Sequence, residues 1–309
     1  MALYDSLTAL LHVETLRTSS LSSPVAARQS PRTSNRRAAD ASRRASAAMR
    51  LSPASLVAAA SQVDKPQTEL PQLHHASALR NRVPILKALL KLLPNEELVG
   101  DACEIGAGTG ALLEVLAPGF PGIQWLPTEY VPQEPVEVEN QWAAHGKIGR
   151  RLGSELETLD AHLQPFANVL PSVAVDLLDE NWFENVGSGL DLLVCCNVLH
   201  VSPWACSEAL FEGAGEVLRP GGQLLIYGPF KVNGEFIGDD DGAGNRKFDA
   251  KLRENSVEWG LRDVNDLNRL ASYAGLEAKK RIDMPANNLL LQFVKVRTGP
   301  LGRIAECFM

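Results

Sequence analysis

Between residues 79 and 296 the chain alternates short apolar runs with amphipathic stretches. Pro84-Ile-Leu-Lys-Ala-Leu-Leu-Lys-Leu-Leu93 carries apolar residues at helical spacing, with Pro84 at a tolerated first-turn position and Pro94 ending the run. Asp101–Ile105, Ile123–Thr128, Pro171–Val175, Leu190–Cys196 and Gln223–Tyr227 read as strands. Between and after them, Thr109–Leu116, Ala205–Leu218 and Val264–Ala274 read as helices, the last with Asp263 as N-cap and Gly275 as its stop. Leu192-Leu-Val-Cys-Cys196 is apolar throughout, as a parallel strand covered on both faces requires. Alternating strands and helices of this kind specify a doubly wound α/β fold. The end differs, because Leu276–Ile282 and Leu289–Val296 are joined only by the turn Asp283–Asn288, which makes them an antiparallel hairpin. The expectation is a seven-stranded, mainly parallel sheet closed by that hairpin. Residues 132–168 break the rhythm with Pro132 and Pro135, a helical stretch at Val138–Ala144 and a basic patch at Lys147, Arg150 and Arg151. They are expected to form a helix with an insertion, placed as a lid over the site.

Composition changes the picture at the N-terminus. Residues 17–60 hold eight arginines, ten serines and twelve alanines against one acid, Asp40, the composition of an organelle transit segment bound for chloroplast or mitochondrion. The alternative is a disordered basic tail and a cytoplasmic protein. The expected boundary is residue 70, with a globular domain over 71–309. Overall charge is −7, but residues 1–70 carry nine Lys/Arg against five Asp/Glu, so 21 and 32 remain for the body. An acidic body repels polyphosphate, which disfavours nucleic acid as a partner and favours a small molecule. Five cysteines, Cys103, Cys195, Cys196, Cys206 and Cys307, form no CxxC pair and read as reduced structural thiols. His74-His75 offers no third ligand nearby and adjacent side chains diverge, so no metal site is expected. No apolar run is long enough to span a bilayer.

The densest chemical signal is Glu104-Ile-Gly-Ala-Gly-Thr-Gly110, at the junction of the first strand and the next helix. Gly106, Gly108 and Gly110 let the backbone pass close to a ligand beside unsatisfied helix N–H groups. A dinucleotide fits this loop through its pyrophosphate, and Gly106, Gly108 and Ala111 satisfy G-x-G-x-x-G/A. S-adenosylmethionine (AdoMet) fits it through its amino-acid end. Glu104 separates the two, since a carboxylate opposes pyrophosphate but attracts an ammonium. Glu129, ending the second strand, suits the ribose hydroxyls of either ligand. Asp176, ending the third, is placed to accept a hydrogen bond from an adenine amine. Together these acids favour AdoMet.

At this point the chain resembles the class I AdoMet-dependent methyltransferases in loop 104–110, in Asn197-Val-Leu-His200 after the fourth strand and in Leu218-Arg-Pro-Gly-Gly-Gln223 before the fifth. More narrowly, Leu79-Arg-Asn81, His200-Val-Ser-Pro-Trp204, Tyr227-Gly-Pro-Phe-Lys231, Trp259-Gly-Leu-Arg-Asp263 and Met284-Pro-Ala-Asn-Asn288 resemble the methyltransferase-like 26 family, domain of unknown function 938. The resemblance implies a Rossmann-like fold and AdoMet held by Glu104, Gly106, Gly108, Gly110, Glu129, Asp176 and Asn197. It leaves the methyl acceptor open. His200 is the leading candidate base, since an unperturbed imidazole near pKa 6.5 suits proton transfer at neutrality. Tyr227 is a candidate for orienting an acceptor and Lys231 for pairing with an acidic one. Two other classes of function compete with a small-molecule methyltransferase. One is a non-catalytic AdoMet-binding or protein-interaction protein. The other is a nicotinamide-dependent oxidoreductase using Tyr227 and Lys231 as its dyad.

Overall fold

The computed structural model describes residues 74–93, 99–132 and 154–296. The expected transit segment, the helix at Val138–Ala144, the basic patch and Cys307 lie outside the described residues. A seven-stranded sheet forms the centre, in the order β3-β2-β1-β4-β5-β10-β9. Its parallel strands are β1 (Gly100–Ile105), β2 (Ile123–Glu129), β3 (Val173–Ala174), β4 (Leu190–Cys196) and β5 (Leu218–Gly228). β9 (Leu276–Met284) and β10 (Asn288–Lys295) form the expected hairpin, and β10 runs antiparallel to β5. Its turn is tight because Ala286 and Asn287 both adopt left-handed backbone, with φ of 59° and 57°. Among the described residues, no helix is long and apolar enough to cross a membrane.

Helices cover both faces, as the apolar strands require. One face packs α1 (Ala76–Leu92), α2 (Leu113–Gly119) and α3 (Ser154–Leu163) through Leu86, Leu89, Leu113, Leu116, Leu159 and Leu163. The other packs α4 (Trp182–Val186), α5 (Trp204–Val217) and α7 (Val264–Tyr273), with Trp182, Leu210, Phe211 and Leu267 at its centre. Leu159 and Leu163 are 1% and 2% exposed, so the described part of the expected lid segment belongs to this core. Cys103, Cys195 and Cys206 are buried free thiols and Cys196 is a half-buried one.

Several elements depart from the sequence pattern. α1 begins eight residues before Pro84, which lies in the helix interior and supplies no N–H to the carbonyl of Arg80. The early turns read as polar because Asn81 and Arg82 are buried, Arg82 against the carboxylate of Glu114 on α2. Burial alone raises the pKa of Glu114, but His162, His74 and the Arg82 charge outweigh it and hold the carboxyl well below the usual range. α2 starts at Leu113 rather than Thr109, because the left-handed glycines before it cannot join a helix. Beyond β5 the chain adds a layer the pattern did not reveal: a small sheet of β6 (Phe230–Val232), β7 (Glu235–Phe236) and β8 (Arg262–Asp263), with α6 (Asp239–Asn255) beside it.

Candidate cofactor and acceptor site

The parallel registers set Glu104 beside Pro127, Ile105 beside Cys195, and Cys195 beside Ile226, so β1, β2, β4 and β5 end at one edge. Strand order reverses between β1 and β4, and open α/β sheets leave a crevice at such a switch point. The loops carrying the candidate residues all leave from this edge.

The three glycines of the β1–α2 loop have φ of 71°, 58° and 82°, a region that penalises other residues. They serve different needs. A side chain on Gly106 would meet Val198 Cγ2 at 2.6 Å, and one on Gly110 would press on Leu159 and Leu163 at 3.0 to 3.1 Å. A side chain on Gly108 would meet no described residue within 4 Å. The loop is pinned to β2, since the Ala107 N–H donates to the Thr128 carbonyl at 2.8 Å and the Thr128 hydroxyl donates to the Glu104 carbonyl at 2.9 Å.

Glu104 is 2% exposed, and its Oε2 has no hydrogen-bond partner among the described residues. Burial, and secondarily the charge of Glu129, push its pKa up to about 8. A buried carboxyl in this state is a waiting partner for a cation, because an ionised one left alone is expensive. Glu129 turns toward the loop, where its Oε2 accepts from the Gly108 N–H at 2.5 Å and its Oε1 from the Tyr130 N–H at 3.1 Å. Asp176 does not end β3 as the pattern suggested. The strand stops at Ala174, and Asp176 lies exposed just beyond, its Oδ1 accepting from the Leu178 N–H at 2.9 Å. Asn197 takes a left-handed φ of 59° and donates its N–H to the Tyr227 carbonyl at 2.8 Å, turning the chain out of β4.

One turn of 3₁₀ helix, Leu199–Val201, then carries His200. Its ring stands edge-on to Phe248 of α6 at 5.6 Å between centroids, is 8% exposed, and faces Gly228 at the end of β5. Burial, then the Arg262 charge, drive its pKa down to about 4. The imidazole is thus neutral at pH 7 and a weaker base than the sequence led one to expect. Tyr227 is 1% exposed in the core shared with α1, and its hydroxyl has no hydrogen-bond partner among the described residues. Burial, then Cys196, raise its pKa, so it stays protonated. Lys231 sits elsewhere, its ammonium 4.6 Å from the Phe236 ring, on an open cavity of about 460 Å³ also lined by Trp204, Arg253, Arg262 and Arg269. The fold gathers the cofactor candidates at one edge but leaves His200, Tyr227 and Lys231 in three different surroundings.

Sequence reasoning missed Arg262. It is buried and donates to the carbonyls of Leu199 at 2.9 Å, Glu258 at 3.2 Å and Ser202, while its guanidinium lies 5.7 Å over the Trp204 ring. It ties the His200 turn to β8, helped by the Gly260 N–H donating to the His200 carbonyl at 3.0 Å. The string Trp259–Asp263 was a signal, but two of the three acceptors of Arg262, the Leu199 and Ser202 carbonyls, lie some sixty residues away, which no pattern exposes.

Strand order and edge together define the class I methyltransferase fold. Similar solved structures include human N-acetylserotonin methyltransferase in complex with SAM, at 16% identity and a TM-score of 0.51, covering 80% of this chain and 57% of that one. A candidate O-methyltransferase of Nostoc punctiforme PCC 73102 is 16% identical at a TM-score of 0.52, covering 77% and 66%. The pyocyanin biosynthetic protein PhzM is 12% identical at 0.50, covering 71% and 56%. The chain thus spans less than two thirds of the length of each. Residues 72–295 match the family described as "Protein of unknown function (DUF938)", and the chain belongs to that family.

Proposed function

We propose that this protein is an AdoMet-dependent methyltransferase acting on a small molecule, a relative of the methyltransferase-like 26 group. The observation that carries the reading is the buried Glu104 carboxyl, whose Oε2 has no partner among the described residues, beneath a loop whose middle glycine meets none of them. That combination fits the methionine end of AdoMet, with Glu104 toward the ammonium and Gly106–Gly110 passing beside the carboxylate. Glu129 would exchange its bond from Gly108 for the ribose hydroxyls. Asp176 would accept from the adenine amine, and Asn197 would shape the floor at β4. A nicotinamide dinucleotide fits less well, because its pyrophosphate gains nothing from ionising Glu104, whereas the AdoMet ammonium does.

AdoMet brings a methyl group on a sulfonium, already a good leaving group, so the chain's own task is chiefly to hold and align the acceptor. His200, neutral at pH 7, can accept a hydrogen bond from an acceptor hydroxyl or amine, and Tyr227, protonated, can donate one. Lys231 supplies positive charge for an acidic acceptor. The separation of these three, and the low basicity of His200, favour a second reading: AdoMet binding without turnover.

Titration calorimetry of the full chain with AdoMet, S-adenosylhomocysteine and NADH in parallel tests the first claim. Micromolar affinity for the first two, with none for NADH, is the expected result; NADH binding alone would overturn it. Tritium transfer from labelled AdoMet to pooled metabolite acceptors then separates the two readings. For residues 17–60 we propose organelle import, supported by their arginine, serine and alanine content; a fluorescent fusion remaining in the cytosol would refute it.

A further inference from the structure

A cluster the site does not use lies under the glycine loop. His74 precedes α1, Glu114 sits in the first turn of α2, and His162 in the last turn of α3, so three segments distant in sequence meet there. One ligand atom from each falls within 4.8 Å of the others. His74 Nε2 is 3.4 Å and His162 Nε2 2.9 Å from the same oxygen, Glu114 Oε1, and the two imidazoles meet edge-on at 4.7 Å. Four ligands about 2.0 Å from a tetrahedral zinc stand about 3.3 Å apart, so these spacings are close to those of a loaded site. The surrounding contacts also suit one. Thr109 Oγ1 is 2.7 Å from His74 Nδ1, which leaves Nε2 as the ligand atom, and Arg82 occupies Glu114 Oε2, which leaves Oε1. Apart from its 2.9 Å approach to Glu114 Oε1, His162 Nε2 is buried with no hydrogen-bond partner among the described residues. Side-chain exposures of 9%, 15% and 21% leave a path for a fourth ligand from water.

We propose that His74, Glu114 and His162 form a binding site for a zinc-class divalent transition ion, with water in the fourth position. The ion joins the segment before α1, the start of α2 and the end of α3, and through His74 it steadies Thr109 of the glycine loop. The sequence pointed away from a metal because the second and third ligands, Glu114 and His162, come 40 and 88 places downstream of His74, and the neighbouring His75 is not a ligand; its Nδ1 contacts the Ser77 hydroxyl at 2.6 Å instead.

The test uses the full chain, stripped with chelator and titrated with cobalt(II), then with zinc in competition. The expected result is one equivalent of cobalt with the visible absorption of a four-coordinate ion, displaced by one equivalent of zinc, and a rise in melting temperature. His162→Gln and His74→Gln are each expected to weaken zinc by more than a hundredfold. Thr109→Val, removing the support of His74, is expected to weaken it by 10- to 100-fold, and His75→Ala to leave it unchanged. Absence of stoichiometric cobalt binding to the unmodified chain would overturn the proposal, whatever the variants do. So would zinc affinity that survives both histidine replacements, since that would place the ion on other side chains.

Discussion

The two halves of the sheet's carboxyl edge are built by opposite means. On the β1–β2–β3 half the functional groups are acids, Glu104, Glu129 and Asp176, and the loop between them is held by backbone bonds to the adjacent strand, Ala107 to Thr128 and Thr128 to Glu104. On the β4–β5 half the nearby charges are mixed, Lys231, Arg253, Arg262 and Arg269 beside Asp263 and Asp266, and the His200 turn is held by Arg262 from about sixty residues further along the chain. The first half is shaped by local conformation, so each glycine has a separable job. The second depends on long-range contacts, so its chemistry and its stability are tied together.

Gly108→Arg tests the first half most severely. No described residue lies within 4 Å of a side chain at this position, so the variant should fold, losing about 1 to 2 kcal/mol for a bulky residue at left-handed φ. Its side chain then fills the space assigned to AdoMet, and calorimetry should find affinity reduced by more than a hundredfold. Gly106→Val, whose Cβ would lie 2.6 Å from Val198, should instead unfold at a markedly lower temperature. Gly108→Arg binding AdoMet normally while folded would remove the loop from the site.

On the second half, the largest effect expected is a pH dependence of stability. His200 has a folded pKa of about 4, below the 6.5 of an exposed histidine. The folded state therefore binds the proton less readily than the unfolded one. Stability is fully present above pH 6.5 and lost as pH falls toward 4, by about 3 kcal/mol in all. Urea unfolding at pH 7, 5.5 and 4 should show this loss in the natural chain and a shallower one in His200→Gln. Parallel slopes for the two proteins would mean that the ring is not desolvated.

Legibility followed the same division. The fully apolar strand Leu192–Cys196, the glycine loop and the Asp263 cap, whose carboxylate does accept from the Asn265 N–H at 2.8 Å, are local features, and the sheet follows from them. The start of α1 was hidden because Arg82 and Asn81 occupy buried positions that the hydrophobic pattern assigns to solvent. The small sheet was hidden because its strands have two or three residues, too few for a period to register. Glu104 and Glu129 were readable as acids at strand ends. What burial does to Glu104 and His200 was not, because desolvation is set by helices packed on from elsewhere in the chain.

Desolvation of Glu104 makes a thermodynamic signature accessible. With its pKa at about 8, the carboxyl is mostly protonated at pH 7 in the free chain, and an ammonium placed beside it lowers that pKa. Binding of AdoMet at pH 7 should therefore release close to one proton. The release is measured as a dependence of apparent binding enthalpy on the ionisation enthalpy of the buffer. In Glu104→Gln the release should vanish and affinity should fall by roughly 1.5 to 3 kcal/mol, the worth of a charged hydrogen bond. Buffer-independent enthalpy in the natural chain would mean that the ammonium lies elsewhere.

Asp176 should give the smallest effect, because it is exposed and already engaged by the Leu178 N–H. A hydrogen bond at such a position competes with water, so Asp176→Ala is expected to weaken AdoMet by about tenfold, or about 1.4 kcal/mol. The loss should fall on the adenine end alone. Replacing AdoMet by an analogue lacking the exocyclic amine should cost the natural chain a similar factor and cost Asp176→Ala little more. If the two losses add in full, Asp176 does not bond that amine, and the adenine is held by other groups near the end of β3.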